Sequence, residues 1–156
     1  MKIFNPNYII EFRNAIESHN LKSGEIILQI CEHDGYRDNY INLIKDFFTK
    51  TNIHLEKESF DINRIKRNEA ISAIKFGLST KPNYTSIDKE FNESDKNRYA
   101  NGFIDFFINP DFFSVNVRIF NKDLDLNDFW ETGGAILIDD NKIGLFWIND
   151  LYDKFN

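Results

Sequence analysis

Residues 113–120 read Phe-Ser-Val-Asn-Val-Arg-Ile-Phe, with Phe113, Val115, Val117 and Ile119 alternating with Ser114, Asn116 and Arg118. A period of two is the mark of a β-strand with one buried face. Everything upstream has a different rhythm. Asn5-Pro6 suits a helix start, and Tyr8, Ile9, Phe12 and Ile16 recur at helical spacing as far as Asn20. Residues 36–50 place Tyr40, Ile44, Phe47 and Phe48 on one helical face. A further helix is predicted over Asn63–Leu78 and another from a Ser94 cap to Phe107, ending before Pro110. The polar stretch 79–92, with Pro82, reads as a loop. Between Ser23 and Gly35, Ile26, Ile27, Ile30 and Cys31 fit one helical face, and both ends carry cap signals, so a helix is expected there. The same run fits a buried strand, and periodicity alone does not separate the two.

Downstream of the alternating stretch, 135–139 and 143–148 are short runs rich in β-formers, joined through Asp140-Asn141. That pair tolerates the left-handed backbone of a tight hairpin, and the register sets Asp139 opposite Lys142. Gly133-Gly134 marks the entry to this hairpin. The expected fold class is α+β: a helical N-terminal two-thirds packed on a small three-stranded antiparallel C-terminal sheet. One domain of 156 residues is expected, mostly helical over 1–110 and β-rich and acidic over 111–156. With 42% apolar and 28% charged residues, the composition excludes disorder and collagen-like fibre. Sixteen phenylalanines foretell a core of large rings.

A single cysteine excludes an internal disulfide framework and fits a reducing compartment. Cys31 and His33 would face the same way only on a strand, and a lone Cys in an apolar run is usually a core residue. His19, His33 and His54 are scattered, without a two-His ligand pattern. Asp123-Leu-Asp125-Leu-Asn127 starts like a calcium loop, but Asp128 occupies the Gly position and Gly134 that of the bidentate Glu. Phosphate-cradling and nucleophile-elbow motifs are absent. No metal, no other cofactor and no catalytic residue is therefore expected. Residues 1–12 are too short and too polar for a signal peptide, which leads to a cytoplasmic expectation. The net charge of −6 argues against nucleic acid or a membrane as partner.

Charge placement is more informative. Residues 1–120 hold 16 Lys and Arg against 17 Asp and Glu, whereas 121–156 hold three Lys against eight acids. Nearly all the net charge thus lies in the last quarter. Its acids are Asp123, Asp125, Asp128, Glu131, Asp139, Asp140, Asp150 and Asp153, interleaved with Phe129, Trp130, Trp147 and Tyr152. Carboxylates around aromatic anchors suit the capture of a basic protein. The partner-binding set expected from this pattern is those eight acids with Trp130 and Tyr152.

In size, acidity, aromatic content and lack of a catalytic set, the chain resembles small bacterial toxin-immunity proteins, including those of contact-dependent growth inhibition. The closest local likeness is Gly133–Asp150, GGAILIDDNKIGLFWIND, a hairpin of the kind such proteins carry near the C-terminus. The resemblance implies tight one-to-one neutralisation of a cognate toxin domain, a basic protein and most simply a nuclease, without a cofactor. The competing expectation is a small enzyme or ligand-binding domain whose pocket, between helices and sheet, would use Cys31, His33 and the Asp123–Asp128 loop.

Overall fold

The run from residue 25 to 32 is a strand in the middle of a sheet. The computed structural model describes residues 1–18, 24–79, 91–120 and 129–151, with backbone alone for 24, 129–132, 150 and 151. In chain order the elements are β1 (Lys2–Ile3), α1 (Asn7–Ser18), β2 (Gly24–Glu32), a single 3-10 turn (Arg37–Asn39) and α2 (Tyr40–Lys50). There follow β3 (His54–Leu55), β4 (Ile62–Ile65), α3 (Arg67–Ser79), α4 (Glu93–Asp105), β5 (Asp111–Val115), β6 (Ile119–Phe120), β7 (Phe129–Ile138) and β8 (Lys142–Leu151). Six strands pair antiparallel in the order β1-β2-β8-β7-β5-β4, and β3 and β6 form a separate two-stranded ribbon.

This overturns the expected architecture of a helical two-thirds on a three-stranded C-terminal sheet. β1, β2 and β4 precede residue 110 and belong to the main sheet, so strands and helices are mixed along the whole chain. The helix expected over 23–35 is β2. In it Ile27 and Cys31 join the core on one face, while Leu28 and Ile30 join the core on the other. A strand covered on both faces is apolar throughout and loses its alternation, so its spacing mimics a helix. The helix expected from Asn63 begins only at Arg67. Residues 62–65 pair with β5 instead, and the Glu69 carboxylate accepts the Lys66 N–H at 3.1 Å to start the helix afterwards. The α4 cap is Asn92, whose side-chain oxygen accepts the Asp95 N–H at 2.7 Å, two residues before the Ser94 expected. The strand expected over 113–120 breaks at 116–118, where Asn116 holds Asp61 through its side chain and backbone, and the chain passes from the main sheet into the ribbon.

The sheet carries α1, α3 and α4 on one face and α2 with the β3–β6 ribbon on the other. Phe12 of α1 stacks on Tyr99 of α4 (4.6 Å) and on Phe146 of β8 (6.0 Å), which accounts for part of the phenylalanine content. Such rings need room. A Cβ on Gly77 would lie 2.6 Å from Phe146, and one on Gly144 would lie 2.5 Å from Phe107, so glycine at both positions lets rings meet backbone. Among the described residues no helix is long and apolar enough to cross a membrane.

Candidate functional site

The β7–β8 hairpin carries four of the eight acids singled out in the sequence, and its two ends differ. At the tip, Asp139 does pair with Lys142 as the register demanded, its N–H donating to the Lys142 carbonyl at 3.0 Å. The turn itself is not the expected left-handed one. Among the described non-glycine residues only Asn52 and Asn109 have positive φ. The Asp139 carboxylate shapes the turn instead, accepting the N–H groups of Asn141 (2.8 Å) and Lys142 (2.6 Å). It also accepts the Ile108 N–H at 3.0 Å and pairs with Lys142 Nζ at 2.8 Å. Burial pushes this carboxyl upward, but the Lys142 ammonium and the three backbone donors outweigh burial and hold it below its ordinary value. Asp139 is 1% exposed, so it leaves the expected partner-binding set: the carboxylate is consumed within the chain.

His33 completes the knot. Its Nε2 lies 2.8 Å from the Asp139 carbonyl, and the Gly35 N–H donates to its Nδ1 at 3.2 Å. These two contacts assign a neutral ring with the proton on Nε2. Arg37 then ties three segments together. It reaches Asp111 (3.2 Å) and Asp140 (3.4 Å), and donates to the carbonyls of Asn109 and Ile138. Arg64 takes the other oxygen of Asp111 at 3.4 Å and lies over the Tyr40 ring. Asp140 stays exposed while it pairs with Arg37. An open groove of about 470 Å³ beside the knot is lined by Phe4, Glu32, His33, Phe106, Asn141 and Lys142. Its histidine and lysine are already engaged.

The residues proposed for an enzyme fare differently from that expectation. Cys31 is fully buried, and burial pushes its thiol upward against the opposing pull of Lys50 and the N-terminus. A raised thiol is a poor nucleophile. His54 is exposed and stacks on Phe120, while His19 lies outside the described residues, as does the 123–128 loop. No group of three or more metal-ligating side chains occurs among the described residues.

At the other end of the hairpin, Glu131 is directly opposite Asp150, and Trp130 is the extra residue of a β-bulge between Phe129 and Glu131. Asp150 has Gly24 on its other flank. The chain enters β7 from the stretch with Asp123, Asp125 and Asp128 and leaves β8 into that with Tyr152 and Asp153; these five lie outside the described residues. At ~3.3 Å per residue, the eight steps from Glu131 to Asp139 span ~26 Å. The four described acids of that set are thus divided between the two ends of the hairpin, Glu131 and Asp150 at one and Asp139 and Asp140 at the other. Trp147, grouped in the sequence with the aromatic anchors, is buried at 3% exposure. Its Nε1 donates to Asn149 at 3.0 Å, and Asn149 in turn donates to Glu25 (2.9 Å) and to the Ile119 carbonyl (2.7 Å).

Sequence reading missed Glu25, Arg37 and Asn149. For Asn149 a signal existed, since it shares strand parity with the apolar Leu145 and Trp147. For Arg37 there was none, because its partners lie more than 70 positions away. Comparison with protein-family models, curated proteins and solved structures finds no match for this chain.

Proposed function

We propose that this protein is a binding protein that neutralises a cationic protein partner, in the manner of the toxin-immunity proteins it resembles. The carrying observation is the register pair Glu131–Asp150. Like charges directly opposite each other cost a few tenths of a kcal/mol in a sheet, and an incoming cation relieves that cost. They lie where the hairpin joins the two sequence stretches that hold most of the remaining acids. An electronegative end of this kind raises the association rate with a basic partner. A nuclease toxin, whose cleft must attract phosphates, is the natural target class. The complex is one-to-one, needs no cofactor, and forms in the cytoplasm, where Cys31 stays reduced and the toxin acts. The test is to read the neighbouring genes for a secreted toxin and to co-express its toxic domain with this chain. Growth is restored and the two chains co-elute as a one-to-one complex. Continued killing by the toxin in cells full of folded protein overturns the reading.

A further inference from the structure

We infer that the partner's anchoring contact is made at the opposite end from the Glu131–Asp150 pair, on Tyr36 and Ile108 beside the hairpin tip. Among the described large apolar residues these two are the most exposed, Tyr36 at 86% and Ile108 at 69%, with the next at 50%. Single exposed apolar residues are ordinary. These two are distinguished by their mounting. Gly35, next to Tyr36, is bonded to His33, which binds the Asp139 carbonyl, and the Ile108 N–H is bonded to the Asp139 carboxylate. Arg37 and Asn109, the residues following each, are joined by a hydrogen bond. Asn109, the residue after Ile108, has a left-handed φ of 46°. The segments that carry both residues are thus braced against the hairpin tip, and a partner that meets them loses little conformational freedom.

The occupant is a cationic protein segment that presents Lys or Arg beside a large apolar side chain. Charge complementarity points to it. The cations that brace the tip are already committed, Arg37 to Asp111 and Asp140 and Lys142 to Asp139. The exposed Asp34 and Asp38, two residues to either side of Tyr36, have no ion pair among the described residues. An exposed tyrosine flanked along the chain by two free carboxylates suits a guanidinium or ammonium by cation–π and ionic contact together. The inference rests on the binding reading above and divides its labour: acids at the far end speed encounter, and the tip sets the lifetime of the complex.

The experiment is selection of a displayed random-peptide library on the full chain, followed by binding kinetics. Selected peptides carry Lys or Arg beside a large apolar residue. They lose at least tenfold in affinity to Tyr36→Ser with Ile108→Ser, mainly through faster dissociation. Glu131→Lys instead slows their association. Melting curves of the variants verify that these changes leave the fold intact. The inference is overturned if cationic peptides bind the double variant within twofold of the parent, or if no sequence is enriched. Selected peptides that need Tyr36 and Ile108 but carry no cation overturn the cationic-partner reading, and the proposed occupant with it.

Discussion

The two ends of the β7–β8 hairpin use the same residue type for opposite purposes. At the tip, Asp139 is buried against four donors and holds the turn, the Ile108 loop and Lys142 together. At the other end, Glu131 lies opposite Asp150 in the β7–β8 register, one acidic residue paired with another. A buried carboxylate persists only when its partners offset desolvation, as the four donors do for Asp139. Counting acids in the C-terminal quarter therefore merges a structural charge with surplus charges. Net charge sets the sign of the field around the chain, while burial decides which carboxylates are free to make a contact.

The strongest way to break this contrast is Asp139→Ala. It leaves three N–H groups and the Lys142 ammonium without their acceptor, and breaking a buried pair of this kind costs about 3–5 kcal/mol in urea denaturation. Adding Lys142→Met recovers part of the loss by removing the stranded charge. Full stability in the single variant would place Asp139 with the surplus acids. Arg37→Ala comes next, at about 1–3 kcal/mol, because charge-assisted bonds to Asp111 and Asp140 and two carbonyl contacts are lost together. Arg37→Lys restores only a fraction, since an ammonium cannot fork among these acceptors.

Acid denaturation sharpens the comparison. The Asp139 carboxyl is held below its ordinary value of 3.8, so its contribution is full above that pH and is lost as pH falls through the folded-state value. The stability gap between the parent and Asp139→Asn accordingly narrows below about pH 4. The alkaline limb reports on a different region. Burial, then the neighbouring Tyr99, raises the Tyr8 hydroxyl to about 12, and it donates to the Tyr99 carbonyl at 3.0 Å. Stability tied to Tyr8 is therefore full below pH 10 and is lost between 10 and about 12, a slope that Tyr8→Phe removes. The smallest effect is at the open end. Glu131→Lys turns the register pair with Asp150 into an opposite-charge one and stabilises the chain by about 0.2–1 kcal/mol. A destabilised Glu131→Lys variant would show that this end, too, is structural.

The sequence by itself determined what depends on near neighbours. The amphipathic stripes of α1, α2 and α4 were legible because each has one wet face, and the turn joining β7 to β8 was legible from Asp140-Asn141 between two apolar runs. Beyond local range the same rules misled. β2 lost its alternation because helices cover one face and α2 the other, and β4 was absorbed into a helical pattern that starts only at Arg67. The candidate site divides in the same way. An acidic C-terminal quarter could be read directly, but the burial of Asp139 and Trp147, the bracing by Arg37 and the exposure of Tyr36 and Ile108 belong to tertiary structure. The physical reason is that exposure and ion pairing are properties of assembled surfaces. Asp139 and Asp140 are chemically identical neighbours, and only the approach of Ile108, His33 and Lys142 buries one while the other remains in water.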